Sequence, residues 1–264
     1  MSGQNSYLLC DFHTHTTWSD GALSLRELVD LYGRTGDFDV IAITDHILRE
    51  KDWLGRAGRL ATLGRRSFSV TEETFPAYLE AIRQEAERAW REHGLLVIPG
   101  AEVTKNHSRA RKNAHIIALG IERFISADQS PEDVLREIRR QGGISVACHP
   151  QPRPRRRFEL ETTYLWEHRN DVVDLVDVWE AANRDDLFAV TSLKHYPYIA
   201  SSDFHKPKHL HSWKTLVRAE KNWESIKEAL RSNVDVAITL YRNGAWNKKG
   251  KKTAPVPVLA PATT

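Results

Sequence analysis

The feature that most constrains this chain is a repeated alternation of short apolar runs with amphipathic stretches. The runs fall at 7–12, 40–44, 96–101, 115–120, 144–148, 175–179 and 198–201. Each is apolar almost throughout rather than at every second residue. A strand of that kind must be covered on both faces, as parallel strands flanked by helices are. Helix signals lie between the runs. Ser24 and Glu27 form a capping box opening a helix over 25–34, with Leu28, Leu31 and Tyr32 able to face inward and Gly36 beyond its end. Ser130 precedes Pro131 at the first position of a second helix, which Gly142-Gly143 stops. The stretch 74–93 carries Leu79, Ile82, Ala86 and Trp90 at helical spacing, and Asn222 caps a last helix reaching Arg231. Strand, helix and strand in repetition predict βα units and a parallel sheet. The expected architecture is therefore α/β, a distorted (β/α)7 TIM-like barrel.

A length of 264 residues suits one such barrel, expected over 1–245. Two segments break the rhythm. Residues 47–71 exceed an ordinary βα loop and hold six basic residues among several glycines, which reads as a lid insertion. Residues 151–164 contain Pro152, Pro154 and the run Arg153, Arg155, Arg156, Arg157. The tail over 246–264 is basic and rich in Pro and Ala, a composition that predicts disorder. The formal charge of +3 owes everything to that tail. Without Lys248, Lys249, Lys251 and Lys252, 34 basic residues face 35 acidic ones. Any attraction for an anion must therefore be local. Cys10 and Cys148 sit in apolar runs, so no disulfide framework is expected. The N-terminus has no signal-peptide pattern and no apolar run approaches a membrane span, which predicts a cytoplasmic protein without a membrane partner.

The histidines and acids fall at the ends of the apolar runs. His13 and His15 follow the first as H-x-H, a spacing that puts both rings on one side of extended backbone. Asp20 comes soon after. Asp45 and His46 end the second run, Glu102 the third, and His149 the fifth; His115 opens the fourth, and Asp203 and His205 follow the last. In parallel βα barrels the C-terminal strand ends converge on one face, where active sites sit. Six His and three acids then make nine ligands, more than one Zn, Mn or Fe ion needs, and enough for two or three divalent ions with positions left for water and substrate. His93, His107, His168, His195, His209 and His211 lie in helix ends or polar loops and are expected outside the site.

These motifs resemble one family. Asp11-Phe12-His13-Thr14-His15, Ser19-Asp20-Gly21, Ile43-Thr44-Asp45-His46, the run end at Glu102, His149-Pro150 and Ser202-Asp203-Phe204-His205 are similar to those of the PHP (polymerase and histidinol phosphatase) metal-dependent phosphoesterases. The resemblance covers about the first 210 residues. It implies a seven-stranded barrel with a trinuclear centre. By that resemblance His13, His15, Glu102 and Asp203 hold one metal. Glu102 bridges to a second, held by His115 and His149, with His107 a possible substitute for His115. Asp20, His46 and His205 hold the third.

The chemistry implied is hydrolysis of a phosphate ester by a metal-bridging hydroxide, with the metals neutralising charge on the phosphate oxygens. Asp45 is expected to orient a ligand histidine. Phosphate-binding candidates are Arg153 and Arg155 with their neighbours, Arg184, and Lys105, Arg109 and Arg111. Trp18 and Trp53 are candidates for stacking on a base. The expected substrate is a small phosphomonoester or a nucleotide. The alternatives are an exonuclease on single-stranded ends with strand contacts from 47–71 and 151–164, a histidinol-phosphate phosphatase, an amidohydrolase, and a non-catalytic metal-binding module.

Overall fold

The computed structural model describes residues 7–49, 69–107, 112–150, 162–188 and 196–242. Within them runs one curled sheet. Its strands are β1 (Leu8–Asp11), β2 (Val40–Ile43), β3 (His46–Leu48), β4 (Leu96–Lys105), β5 (Ala114–Leu119) and β6 (Ile144–Ala147), followed by β7 (Val178–Asn183), β8 (Asp186–Leu187), β9 (Tyr198–Ser201), β10 (Trp213–Val217) and β11 (Val236–Leu240). The order is β11-β10-β1-β2-β4-β5-β6-β7-β8, with β3 on β4 and β9 on β7. One isolated parallel bridge, Thr14 to Phe204, joins the continuation of β9 back to that of β1. The sheet therefore curls until the strand paired with β7 returns to β1.

Alternate residues of one strand enter two separate cores, which explains the unbroken apolar runs. Val40 and Ala42 of β2 pack inside the curl with Cys10, Ile117, Val146 and Ile199. Ile41 and Ile43 face the outer layer with Leu28, Tyr32, Tyr78 and Ile82 of the covering helices. Both cysteines are free and buried.

The helices form where the capping chemistry places them. Leu25–Thr35 begins at Ser24, whose hydroxyl accepts from Glu27 N while the Glu27 carboxylate accepts from Ser24 N at 2.8 Å, and ends at Gly36 with φ 67°. Pro131–Arg140 and Trp223–Ser232 start at Ser130 and Asn222 through the same type of side-chain bond. Phe75–His93 packs Tyr78, Leu79 and Ile82 inward, but Trp90 is exposed, with Lys221 over its ring. In the last turns Ala89, not Trp90, takes the inward place.

A strictly alternating parallel arrangement is not what forms. β5 runs antiparallel to both β4 and β6, and β10 and β11 add an antiparallel pair beside β1. β4 is long and carries the chain outward to Lys105, so β5 can return along it without a crossover helix. β7 begins three residues later than the apolar run 175–179 and extends through Glu180 to Asn183. Most of the segment 47–71, and all of 246–264, lie outside the described residues. Among the described residues no helix is long and apolar enough to cross a membrane.

One buried polar cluster ties the ends of the curl together. Asp11, fully buried at the end of β1, accepts from Ser202 N at 3.0 Å and from Tyr32 Oη at 2.7 Å. Lys214 of β10, equally buried, lies 3.1 Å from the same carboxylate and donates to Ser212 Oγ. Burial draws the Lys214 pKa down, and Asp11 opposes that shift. Removing one member leaves the other buried and unpaired, so Lys214→Ala should cost about 3–5 kcal/mol in urea unfolding. Asp11→Asn combined with Lys214→Met should cost clearly less than the single change. Equal losses would show that the pair does not act as a unit.

Candidate metal centre

The H-x-H motif works because its middle residue is locked outward. Thr14 N donates to Thr44 Oγ1 at 3.0 Å and Thr14 Oγ1 donates to Ala42 O at 2.6 Å, so β2 grips the threonine while both imidazoles turn into the mouth of the curl. The turn that follows brings Asp20 back over them. Gly21 N donates to Thr16 O at 2.9 Å, and a Cβ on Gly21 would run into the His15 carbonyl. Only glycine fits there. Register places the next ligands: His46 on β3 lies opposite Glu102 on β4, and His115 on β5 opposite Thr104. His149, Asp203 and Arg184 sit just beyond strands with φ of 27°, 47° and 51°. Such backbone in non-glycine residues is strained, and its clustering at one site is typical of function.

All nine candidate ligands converge. The Glu102 carboxylate stands at the centre. Its Oε2 lies 3.1 Å from His13 Nε2, 3.2 Å from His15 Nε2 and 3.2 Å from His46 Nδ1. Its Oε1 lies 2.6 Å from His115 Nδ1 and 3.8 Å from His149 Nε2. Asp203 Oδ1 is 3.5 Å from His13 Nε2, 3.4 Å from His15 Nε2 and 3.3 Å from His205 Nδ1. Asp20 Oδ1 is 3.2 Å from His205 Nε2 and 3.5 Å from His46 Nε2. The donor atoms form groups compact enough for an ion each: His13, His15 and Asp203; Glu102, His115 and His149; and His15, Asp20, His46 and His205.

The donor set fits divalent cations. Metal–ligand bonds of about 2.0–2.2 Å put two atoms sharing one ion roughly 3–3.5 Å apart. Most of the separations above are of that size. The outer ring nitrogens are also tied to oxygen. His205 Nδ1 donates to Asp203 O at 2.9 Å, and His115 Nε2 to Asn106 Oδ1 at 2.9 Å. Thr162 Oγ1 donates to His149 O and so accepts from His149 Nδ1 at 2.9 Å; Thr104 Oγ1 donates to Glu102 O and so accepts from His46 Nδ1 at 2.8 Å. In each case the opposite nitrogen is left as a lone pair facing the centre, the arrangement that orients metal-binding histidines. His15 has both ring nitrogens buried without a hydrogen-bond partner.

Charge runs the same way. Burial alone would raise the Glu102 pKa, but His46, His115 and His13 outweigh it and hold the carboxylate well below its usual range. Burial would likewise raise Asp203 and Asp20, and His13 and His205 respectively lead the opposing pull that lowers them. His15, which burial would push down, is raised to about 9 by Asp203 and Glu102, and His13 is raised well above 6.5. His46 goes the other way, down to about 3, because burial dominates. Three carboxylates here demand cationic partners.

Several expectations change. Asp45 does not orient a histidine. Its Oδ1 accepts from Thr16 N at 2.8 Å and Ser19 Oγ at 2.6 Å, and its Oδ2 from Thr16 Oγ1 at 2.8 Å, so it clamps the turn that presents Asp20. Arg184 joins the site, but its Nη2 pairs with Asp203 Oδ2 at 2.8 Å. Arg153 and Arg155 lie outside the described residues, as do Trp53, Arg109 and Arg111. Trp18 packs edge-on to Tyr78, and Lys105 Nζ is buried on the carbonyls of Ala127 and Gln129. His115, not His107, meets Glu102. His209, expected elsewhere, accepts from His205 N at 3.1 Å and lines a cleft of about 480 Å³ with Asp20, Arg184, Lys206, Lys208 and His211. Burial draws the His209 pKa down to about 4. Glu180 of β7 was not singled out at all. It is fully buried with Oε1 3.2 Å from His13 Nδ1. The available signal was its place directly after the apolar run 175–179, where Glu102 stands after 96–101.

No family model matches the chain. A solved two-domain protein from Bacteroides vulgatus, described as containing a predicted PHP-like metal-dependent phosphoesterase, superposes with a TM-score of 0.62 at 22% identity, over 90% of this chain and 66% of that one. The fold is PHP-like. This chain spans 66% of that neighbour's length, so the comparison does not extend to the whole of that protein. In sequence the chain is 25% identical to the 5'-3' exoribonuclease Rnm of Escherichia coli K12 and 24% identical to that of Salmonella typhimurium LT2, over 78% of this chain and 88% of each relative. The resemblance read from the motifs is borne out.

The clamp at Asp45 carries its own test. Asp45→Ala strands Thr16 N and two hydroxyls, at about 1–3 kcal/mol for a buried donor. Amide exchange at Thr16 should accelerate roughly 10–100-fold, each tenfold being about 1.4 kcal/mol, while Leu9 and Ile41 keep their protection. Unchanged exchange at Thr16 would remove Asp45 from that role.

Proposed function

We propose that this chain is a metal-dependent phosphoesterase acting on a nucleotidic phosphate ester, with the 5' end of an RNA strand as the substrate. The observation that carries the hydrolytic reading is the convergence of nine His, Asp and Glu side chains into three overlapping groups around the buried Glu102. We read these groups as three ion positions at the mouth of a distorted seven-stranded barrel made by β1, β2, β4, β5, β6, β7 and β9. The chain pairings and the Thr14–Phe204 bridge support that count. Residues 1–245 would form this unit and 246–264 a tail. The two exoribonuclease relatives support a strand end over a free metabolite.

Divalent ions bound here supply activation of a water near neutral pH and neutralisation of charge on the phosphate oxygens. The chain's own groups do the rest. Glu102, Asp203 and Asp20 are held ionised, and the outer hydrogen bonds keep the rings from turning. Phe12, Cys148 and Ile199 of the inner core shut water out from below. The cleft beside Asp20 and His205 accommodates the part of the substrate that does not react. Lys206 and Lys208 stand exposed on its rim, and neither makes an ion pair among the described residues, so each can meet a phosphate. That rim favours a polyanion over a substrate with one phosphate.

The test is product release from 5'-phosphorylated oligoribonucleotides, nucleotides, histidinol phosphate and p-nitrophenyl phosphate with Mn, Zn or Fe. Metal-dependent release of 5' nucleotides, lost in His13→Ala and Asp203→Ala, is expected. Preference for histidinol phosphate, or turnover of amides alone, would overturn the proposal. Lys206→Ala with Lys208→Ala should raise KM for the oligonucleotide more than for p-nitrophenyl phosphate, and should flatten the slope of log affinity on log salt by about one per lysine removed.

A further inference from the structure

Glu180 belongs to none of the three ligand groups, yet it touches two of them. Its Oε1 lies 3.2 Å from His13 Nδ1, and its Oε2 accepts from His149 N at 2.6 Å and from Asn183 Nδ2 at 3.0 Å. The side chain has no exposed surface. A carboxylate buried among apolar strands is costly unless every oxygen is satisfied; His149 N and Asn183 Nδ2 donate to one oxygen, and His13 Nδ1 faces the other. The backbone aims it. β7 shifts register against β9 between Glu180 and Ala182, and such an irregularity re-aims the side chain beside it.

We infer that Glu180 is a positioning residue that fixes the tautomer of His13 and the strained backbone of His149, and so joins two ion positions into one unit. The inference rests on the reading of the three groups as a metal centre. An ionised carboxylate only accepts, so His13 Nδ1 must carry the proton and Nε2 presents its lone pair between Glu102 and Asp203. The second oxygen takes the amide of His149, whose φ of 27° is otherwise unfavourable for a side chain with a Cβ. That grip sets where the His149 ring stands against Glu102.

Glu180→Gln distinguishes this role from simple packing. The glutamine keeps the shape but has one accepting end and one donating end. His149 N and Asn183 Nδ2 are fixed donors and will claim its oxygen. Its NH2 then faces His13 Nδ1, which must become an acceptor and move its proton to Nε2, the nitrogen that faces the metal. In the zinc-loaded full chain, metal content after dialysis should fall by one equivalent relative to wild type, with affinity for that ion about 10–100-fold weaker by calorimetry. Long-range proton–nitrogen spectra should show His13 changing from the Nδ1–H to the Nε2–H form. Full metal content with an unchanged His13 tautomer would overturn the role of Glu180 while leaving the metal centre standing. Wild-type protein that takes up no metal would overturn both. Should Glu180→Gln fail to fold, the wild-type spectrum decides, because a His13 carrying its proton on Nε2 contradicts the inference.

Discussion

The structure depends on one buried carboxylate surrounded by imidazoles. Glu102 has no exposed surface and five histidine rings within 3.8 Å of its oxygens. Burying a carboxylate costs several kcal/mol if it is unpaired. Here the charge of the surrounding rings, led by His46, His115 and His13, opposes that cost and holds the carboxylate below its usual range. No local segment could achieve this. The five rings come from the end of β1, from β3, from β5 and from the turn after β6, and only a sheet curled until those ends face one another brings them to one point. The same curl is what the two apolar cores stabilise from within and without. Packing and chemistry therefore impose the same geometry.

A layer of neutral oxygens surrounds that centre. The hydroxyls of Thr104 and Thr162, the amide of Asn106 and the carbonyl of Asp203 each hold the outer nitrogen of one ring. Because these partners are uncharged, they settle which nitrogen carries the proton without competing for the cation. Glu180 is the exception, a charged partner placed behind His13. His13 also faces both Glu102 and Asp203, so it is the ring on which negative charge presses most, and an anionic support behind it strengthens its basicity further.

Much of this was legible in the sequence, for a definite physical reason. Strands covered on both faces read as unbroken apolar runs, and a polar side chain at the end of such a run has few places to go except the mouth of the barrel. That logic reached seven members of the cluster; His115 opens its run, and Asp20 lies in the turn after the first. One acid in the same run-end position was passed over. The apolar run 175–179 stops one residue short of Glu180, whereas β7 continues to Asn183. The acid thus stands directly after its run, as Glu102 does after 96–101, although the strand carries it inside. Asp45 misled for a different reason. It precedes a ligand histidine in sequence, but successive residues of extended backbone point to opposite sides, so its carboxylate serves the Thr16–Asp20 turn instead. β10 and β11 were missed because Trp213-Lys-Thr-Leu-Val and Val236-Ala-Ile-Thr-Leu mix polar with apolar residues. The polar members are nevertheless used: Lys214 pairs with Asp11 and Thr215 with the backbone of Ala200.

The backbone at His149, Arg184 and Asp203 shows what such a centre demands of the fold. Each residue holds positive φ, at about 1–3 kcal/mol apiece. Glycine would relieve the strain at all three and would remove the group that acts. The fold instead pins each residue from outside. His149 is held through its amide and carbonyl by Glu180 and Thr162, and Arg184 through its amide and carbonyl by Ser201 and Trp213. Asp203 is held by the Arg184 guanidinium at its side chain. Asn233 and Asp235 also have positive φ, but they sit in the turn after a helix, where short polar side chains tolerate it locally. That turn is also held from outside, by Tyr198 N on Asn233 Oδ1 and Arg218 N on Asp235 O. At the site the strain is sustained by contacts reaching across the sheet, so the rigidity that keeps the ligands apart at ion-sharing distances is a property of the whole curled sheet.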